Sequence, residues 1–520
     1  MDDSEDDYGL GDLGDEDEYT DISPMFQMTT DYKFKIDGYR TAKENTFLLK
    51  IERTTATKSR SGPFTTFKFG QIPDTHSVQI AMDAFSWMVA PVERDGFFSH
   101  LFQRRVLYVA RRDKNYFKGL FSSDGLLRMV QENDLQYGTN INVAHYDREG
   151  GRTTHNPIGR VFAHQLKTFV KAGMSLQCIN PQSYNDEIWY LCEILQELTN
   201  SFVGANTYLT PANSAGFAPH WDEVDAFILQ LEGKKYWRVW APADGDSALP
   251  DESSRNFSEK EMADKNLVFD GTLEEGDILY VPRGFYHSAS TGKDHSLHVT
   301  ISLCHNVTFA HLMKSISNEV WDSVRQARLV SRRSLPPGFL EMGGVAGLDY
   351  EEGLNEHIMP VVNTMLEDVT ETYREGIASA IDKMAQEFFK TALPPMLTPE
   401  ERKLSIHGGE NLGMFDENEV KVTRMKEIRF IRHHAQRLVF ENEETPFIIH
   451  RMSNSRILSE NTEQKTVAVE LKMVDGIITL FRDYPQWIKV KDLGCGKQVN
   501  VALAEILYNN GLIMIRDKPI

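Results

Sequence analysis

The sequence has few cysteines and no long apolar run. Only four cysteines, Cys178, Cys192, Cys304 and Cys495, occur in 520 residues, and no two of them form a CxxC pair. This scarcity excludes a disulfide-rich domain and predicts a reducing compartment, the cytosol or the nucleus. No apolar stretch approaches the roughly 20 residues that a membrane helix needs, and no secretory leader is recognisable. We therefore expect no membrane association.

Basic residues are missing from the first 32 positions. Eleven carboxylates lie between Asp2 and Asp21, and the first basic residue is Lys33. Because like charges repel and the segment has little to bury, it predicts a disordered acidic tail over residues 1–30. Such a tail can keep the protein in solution or attract basic partners. Since the formal net charge is −20, we expect no strong direct binding to nucleic acid.

The rest of the chain predicts three folded parts and an α+β fold without internal repeats. Short β-branched and aromatic runs such as AFILQL, KYWRVW, DILYVP and LHVTISL fall in the first part, residues 31–307. Gly, Pro and Asp separate these runs, as in a β-barrel or a double-sheet jelly roll. Apolar spacing predicts a helix over residues 187–198. A polar stretch over residues 244–264 predicts a surface insertion.

Helical periodicity marks the second part, residues 308–415. In the third part, residues 416–520, FIIHRM and ILSE predict strands, and VAVELKMVDGIITLF predicts a helix. NVALAEILYNNGLIMI then predicts a helix, an Asn-Gly turn and a strand, which outline a winged-helix domain. The segment NVALAEILYNNG contains Glu505 and no lysine or arginine, so we expect this domain to contact protein and not to regulate genes by binding DNA.

The segment Pro219-His220-Trp221-Asp222 is the strongest chemical signal. Residues i and i+2 of a strand lie on one face, so the His220 imidazole and the Asp222 carboxylate converge. His287, at the end of GDILYVPRGFYH, is the candidate third ligand. Two histidines and one carboxylate leave open positions on Fe(II) for a bidentate cosubstrate and dioxygen. An isolated HxD pair also occurs by chance, and such a triad can hold metal without oxygenase chemistry.

Three further residues near these motifs have two readings each. Lys235, 15 residues after His220, can pair with the distal carboxylate of 2-oxoglutarate, or it is a surface lysine in a Gly-Lys-Lys turn. His295 and His298 lie close enough in sequence to be rival ligands. We read His298 as a structural histidine beside the site.

Two long segments resemble the JmjC ribosomal oxygenases, in particular their nucleolar histidyl hydroxylase and histone lysine demethylase branch. The segments are NTYLTPANSAGFAPHWDEVDAFILQLEGKKYWRVW and GDILYVPRGFYHSAS, and the likeness runs from about residue 85 to the C-terminus. The resemblance implies Fe(II) held by His220, Asp222 and His287, with 2-oxoglutarate as cosubstrate. It also implies a cosubstrate pocket containing Asn206, Tyr208, Lys235 and Ser302.

The resemblance further implies an architecture, partners and a location. The architecture is a double-stranded β-helix (jelly-roll, cupin-like) JmjC domain, a helical dimerisation domain and a C-terminal winged helix. The substrate would be a ribosomal protein hydroxylated on histidine, or the histone H3 tail demethylated on lysine. The protein would be a homodimer in the nucleus, with the nucleolus as the narrower expectation. A non-catalytic chromatin or ribosome-assembly adaptor is the rival class, and the intact triad argues against it.

The sequence departs from this family pattern at three places. Gln177 stands where the branch it most resembles has arginine, and Trp221 stands where tyrosine is usual. The acidic tail replaces a basic N-terminal extension. These departures leave the preferred target protein and nucleolar targeting open.

Overall fold

The computed structural model describes residues 38–54, 63–70, 75–147, 151–215, 217–242, 248–303, 306–345, 351–411 and 421–517. The predicted acidic tail and Cys304 lie outside these ranges. Within them, no helix combines the length and the apolar character that crossing a membrane requires.

The first part of the chain is a large β-structure flanked by helices. Its helices are α1 (Ser77–Val89), α2 (Arg94–His100), α3 (Ser123–Glu132), α4 (Ala163–Lys171) and α5 (Asp186–Thr199). Its strands are β1 (Tyr39–Asn45), β2 (Leu48–Arg53), β3 (Val106–Ala110), β4 (Ile141–Asp147), β5 (Gly151–Thr154), β6 (Ser175–Ile179), β7 (Gly204–Thr210), β8 (Asp225–Trp240), β9 (Leu267–Glu274), β10 (Ile278–Val281), β11 (Tyr286–Ser290) and β12 (Ser296–Leu303). Helix α5 confirms the helix predicted over residues 187–198.

Strand β8 belongs to two sheets. The long sheet runs in the order β1-β2-β3-β10-β8-β12-β7-β6-β4-β5, and the first half of β8 lies in it between β10 and β12. From Lys234 onward, β8 pairs instead with β9 and β11. The runs AFILQL and KYWRVW were predicted as separate strands, but they form this one strand. Its bend falls at Gly233, where φ is +63° and a Cβ would lie 1.9 Å from the His295 carbonyl oxygen, so glycine is required.

The two faces of the long sheet bury different cores. Phe227 and Leu229 of β8 pack with the helices, whereas Ile228 belongs to the cluster between the two sheets, with Val239 and Phe269. This alternation follows from the period of two in a strand. Both faces are buried, which explains the unbroken apolar run in the sequence. The predicted double-sheet jelly roll is confirmed.

The second part is helical and has a small hydrophobic core. It contains α6 (Phe309–Ser315), α7 (Ser317–Ala327), α8 (Glu351–Gly353) and α9 (Met359–Thr391). Helices α6, α7 and α9 bury Ile316, Val320, Val324, Val369 and Ala380 together. Many other apolar side chains of these helices stay exposed.

Helix α10 (Pro399–Lys403) follows α9 near the end of the second part. The third part contains α11 (Val474–Arg482), α12 (Lys497–Asn509), β13 (Glu427–Phe430), β14 (Gln436–Phe440), β15 (Pro446–His450), β16 (Lys465–Ala468), β17 (Ile488–Lys489) and β18 (Ile513–Arg516). The strands form two small sheets, β17-β13-β18 and β14-β15-β16. Helix α12 and strand β18 are where the sequence predicted them. The domain boundaries given above stay predictions, although Leu397 already packs in this core.

Two predictions in this part were wrong. ILSE was predicted as a strand, but Leu458–Glu460 is a turn of 3-10 helix. The helix predicted over VAVELKMVDGIITLF begins only at Val474, because its first residues belong to β16. There Val467 is buried opposite Ile448 on β15, and a β-branched side chain suits that strand position.

A buried ionic cluster joins the third part to the first. The Arg451 guanidinium lies 2.6 Å from a Glu197 carboxylate oxygen and 3.8 Å from Glu193, both on α5. Glu197 also accepts hydrogen bonds from the Ser77 hydroxyl and the His434 backbone N–H. Although burial opposes it, Arg451 and the other donors lower the pKa of Glu197 to about 2. Burial raises the pKa of Glu193 to about 7, against the opposing effects of Arg432 and Arg451, so the cluster holds one ionised and one partly protonated carboxyl group.

Replacing Arg451 with methionine should destabilise the protein strongly, because it leaves the buried Glu197 carboxylate without its ion-pair partner. Breaking a buried pair from one side costs about 3–5 kcal/mol, and we expect the free energy of unfolding in urea to fall by about that amount. Arg325→Met, which breaks an ion pair on the surface with Asp322, is the control and should change it little. Equal effects of the two substitutions would contradict this account.

Candidate metal centre

His220, Asp222 and His287 converge on one point. Their ligand atoms all lie within 4.8 Å of one another, and in the described ranges no other group of three His, Cys, Asp or Glu side chains is close enough to hold a metal ion. Asp222 lies between the histidines. Its Oδ1 atom is 3.6 Å from Nε2 of His220, and its Oδ2 atom is 3.6 Å from Nε2 of His287. The spacing in the sequence therefore predicted residues that the fold does bring together.

Backbone pairing sets the distance between the two histidines. His220 N–H donates to the His287 carbonyl oxygen at 3.2 Å, and His287 N–H donates back to His220 at 2.8 Å. His287 lies on β11, whereas His220 forms an isolated bridge ahead of β8 and not a full strand. Because this pair exchanges both bonds, the two imidazoles leave the backbone side by side, with ring centroids 4.5 Å apart.

Each imidazole is oriented by a carbonyl two residues earlier. Nδ1 of His220 is 2.8 Å from the Ala218 oxygen, and Nδ1 of His287 is 3.2 Å from the Phe285 oxygen. When Nδ1 donates in this way, the Nε2 lone pair is left for a metal. Burial, together with His220, lowers the pKa of His287 to about 4, so this ring is neutral at physiological pH. The donor set fits Fe(II), which takes two imidazoles and a carboxylate on one face.

The rival histidines do not join this group. His295 is half exposed and lies 3.4 Å from Glu232. His298 is buried against the Tyr208 ring, which it stacks at 4.9 Å between centroids. Burial and the nearby Lys235 hold the pKa of His298 well below its usual value. His298 is therefore a neutral wall of the site, in line with its reading as a structural histidine.

A pocket of about 610 Å³ opens beside the triad. Its wall includes all four residues that the resemblance implied, Asn206, Tyr208, Lys235 and Ser302. Gln177 lies in the wall too, and its amide donates to the Tyr208 hydroxyl at 3.2 Å.

Sequence reasoning missed other residues of this wall. Thr300 shares the inward face of β12 with Ser302 and with His298, which the sequence had already placed beside the site, and Trp237 stands two positions after Lys235 on β8. Each stands two positions from a residue that was named, so the strand period was a signal that could have found them.

Lys235 points inward, and its reading as a surface lysine is wrong. It is 5% exposed, and its Nζ donates to the Thr210 hydroxyl at 3.0 Å. Its neighbour Lys234 is the exposed residue, 3.0 Å from Glu274. No carboxylate of the described residues lies within ion-pair distance of Lys235, and burial lowers the pKa of its amine to about 7. The pocket thus holds a buried amine without a counter-ion.

The predicted surface insertion contributes to the site. Residues 253–256 form part of the pocket wall, and Met262 is buried in a cluster with Trp240 and Tyr286. From their polar composition, residues 244–264 were predicted to be a surface insertion. Composition could not show that they contact residues 219–221, because most of those contacts involve backbone groups. Residues 243–247 lie outside the described ranges.

Comparison with known families assigns this architecture to a class. The family model for the JmjC domain matches residues 177–312, which contain the whole triad. The model for the C-terminal winged helix domain of ribosomal oxygenase 1 matches residues 393–520. The fold and the site together are those of a JmjC-domain protein with a winged helix.

Two curated relatives extend this assignment, and one solved structure aligns with most of the chain. Ribosomal oxygenase 1 of Danio rerio is 33% identical over 436 residues, which cover 82% of this chain and 78% of the fish protein. The Brugia malayi protein named bifunctional lysine-specific demethylase and histidyl-hydroxylase NO66 is 40% identical over 454 residues, 86% of this chain and 64% of that protein. The Escherichia coli ribosomal oxygenase YcfD aligns over 82% of this chain and 98% of its own, with 15% identity and a TM-score of 0.43.

The chain belongs to the ribosomal oxygenase 1 family. It spans less than two thirds of the length of the nematode relatives, 61% to 64%.

Metal binding should depend on Asp222 and not on His295. Asp222→Ala removes the only carboxylate of the triad, so we expect the metal-free protein to lose Co(II) affinity by about two orders of magnitude or more, since the two imidazoles then bind alone. His295→Ala leaves all three ligands and should bind Co(II) like the unaltered protein. Titration with Co(II), followed by its visible absorption, measures both. Unchanged binding by Asp222→Ala would exclude this metal centre.

Proposed function

We propose that the protein is an Fe(II)- and 2-oxoglutarate-dependent oxygenase that acts on protein substrates. The observation that carries the proposal is the buried Lys235 amine, which has no carboxylate partner among the described residues, in the pocket that the His-Asp-His triad borders. A dicarboxylic acid that binds metal at one end and a cation at the other fits both features. The names of the relatives, which contain oxygenase, demethylase and hydroxylase, support it.

In this proposal, residues of the pocket bind the iron and hold 2-oxoglutarate in position. His220, Asp222 and His287 hold the iron, and Lys235 receives the distal carboxylate of 2-oxoglutarate, with Thr210 accepting from the same amine. Bound iron supplies the oxidation, in which 2-oxoglutarate and dioxygen become succinate and CO2 while one oxygen atom enters a substrate C–H bond. The aromatic rings of Tyr208 and Trp237, within 6 Å of the Lys235 amine, keep this end of the pocket dry.

The substrate we propose is a basic protein, with a histidine of a ribosomal protein as the first candidate. The Brugia relative is named both as a histidyl-hydroxylase and as a lysine demethylase, so a methyl-lysine of the histone H3 tail is the second. Both reactions begin with hydroxylation of a C–H bond and use the same triad. The volume of about 610 Å³ exceeds what 2-oxoglutarate fills and leaves room for a side chain.

Mass spectrometry of peptides tests this function. Ribosomal-protein peptides containing histidine and methylated H3 peptides are incubated with protein, Fe(II) and 2-oxoglutarate. We expect a gain of one oxygen on a histidine, which the His220→Ala variant does not produce. Loss of a methyl group from lysine would favour demethylation. If the iron-loaded protein also fails to form succinate, the proposed oxygenase activity is wrong and the adaptor becomes the better proposal.

Binding of 2-oxoglutarate should weaken as the pH rises through neutrality. Because burial lowers the Lys235 pKa to about 7, the amine is charged below pH 7 and increasingly neutral above it. A bound carboxylate favours the charged form, so the Kd of 2-oxoglutarate should rise several-fold from pH 7 to pH 8. Calorimetric titration of the Co(II)-loaded protein measures this change.

Lys235→Arg is the control for this pH dependence, since guanidinium stays charged over the whole range. Its Kd should be flat between pH 7 and pH 8, whatever its absolute value. A flat profile for the unaltered protein would contradict a lowered pKa of Lys235 as the cause of pH-dependent binding.

We also propose that the helical part mediates a homodimer. Its described helices expose large apolar side chains, namely Phe309, Met313, Trp321, Leu366 and Ile381, and exposed apolar groups of this number favour association. We expect twice the chain mass in light scattering at micromolar concentration. Replacing Trp321 and Leu366 with glutamate should give a monomer with unchanged circular dichroism. A monomeric unaltered protein would contradict the proposal.

A further inference from the structure

A short segment of the insertion runs antiparallel to the backbone that carries two of the metal ligands. We call residues 252–257 the strap. The Phe257 N–H donates to the Pro219 carbonyl oxygen at 2.8 Å, and the Ser254 N–H donates to the Trp221 carbonyl oxygen at 3.1 Å. In return, the Trp221 N–H donates to the Ser254 hydroxyl oxygen at 2.9 Å.

Trp221 is the residue between His220 and Asp222, so the strap holds the point that joins the two ligands. Both polar backbone groups of Trp221 are satisfied by Ser254 alone. The Trp221 indole N–H also donates to the Glu252 carbonyl oxygen at 3.2 Å. With its side chain drawn outward to the strap, Trp221 leaves the two ligand side chains on the opposite, inward side.

The same ring also reaches the third ligand. The Trp221 ring packs edge to face on Tyr286, with centroids 5.0 Å apart, and it lies tilted against Phe257, with centroids 5.4 Å apart. Tyr286 immediately precedes His287 on β11. The strap, Trp221 and Tyr286 therefore form a layer behind the triad. Each metal ligand is adjacent in sequence to a residue of this layer, His220 and Asp222 to Trp221, and His287 to Tyr286.

We propose that Ser254 is a positioning residue of the metal centre. The inference rests on the proposed function only in taking the triad as the metal site. The Ser254 hydroxyl occupies the place where a neighbouring strand would offer a carbonyl oxygen. Without it, the Trp221 N–H loses its acceptor, and the peptide between the ligands is free to rotate away from the geometry that the metal requires.

The test is Co(II) affinity of the metal-free protein, with the visible absorption band as a report of ligand geometry. Ser254→Ala should bind Co(II) about 10-fold more weakly, the lower range for residues that orient metal ligands, and its absorption band should shift. Ser254→Thr keeps the hydroxyl and should restore both. Ser253→Ala is the matched control, because the Ser253 hydroxyl contacts the Glu223 carboxylate and not the ligand backbone.

Melting of the metal-free protein separates positioning from stability. We expect Ser254→Ala and Ser253→Ala to melt at the same temperature and to differ only in Co(II) affinity. If Ser254→Ala does not fold, Ser254→Cys, which keeps the size but accepts hydrogen bonds weakly, carries the same expectation.

Three results would overturn the inference: Co(II) binding by Ser254→Ala equal to that of the unaltered protein, equal weakening in Ser253→Ala, or no restoration by threonine. Asp222→Ala distinguishes this failure from failure of the proposed function. If Asp222→Ala still binds Co(II), the triad is not the metal site. If Asp222→Ala loses Co(II) while Ser254→Ala keeps it, only the role of Ser254 is wrong.

Discussion

The two backbone hydrogen bonds between His220 and His287 join parts of the chain that are 67 residues apart in the sequence. One partner comes from the irregular segment before β8 and the other from β11, which is itself paired to the second half of β8. Because neighbouring residues of a strand face opposite sides, a shift of β11 by one residue would turn His287 out of the site. The continuous pairing along β8 fixes this register, so the geometry of the metal centre depends on a strand that spans both sheets.

Short spacings in the sequence indicated the triad, because His220 and Asp222 stand two positions apart and His287 ends a strand motif. The resemblance to the JmjC ribosomal oxygenases favoured His287 over His295 and His298, and it supplied Asn206, Tyr208 and Ser302. The jelly roll, the helical part and the winged helix were also predicted correctly. What escaped prediction depends on contacts between distant residues. The bend at Gly233 is imposed by the His295 carbonyl, and the start of β16 by its pairing with β15. The strap is held by backbone groups together with the Ser254 hydroxyl and the Trp221 indole, and composition does not show that these groups meet.

The chemistry of the pocket follows from the burial of its ionisable side chains away from water. Lys235 is buried beside two aromatic rings and a neutral histidine, where a charged amine is costly and a neutral one is not. An entering carboxylate changes that balance, since it supplies the counter-ion that the described surroundings lack. The pocket is therefore prepared for an anion before one arrives. The same principle applies to the imidazoles, whose Nδ1 atoms are already engaged and whose Nε2 atoms need no rearrangement to bind a cation.

The cluster of Arg451 with Glu193 and Glu197 decides whether the winged-helix part can be separated from the rest of the chain. A winged helix at the end of a chain suggests a detachable unit, one that recombination could add to or remove from an enzyme. Here the winged-helix part supplies the cation for two carboxyl groups of helix α5, which packs against the sheet of the catalytic part. Separation would expose an incomplete interior on each side of the cut. The stability of each part of this chain therefore depends on the other, and a cut between them would leave buried carboxyl groups without their cation.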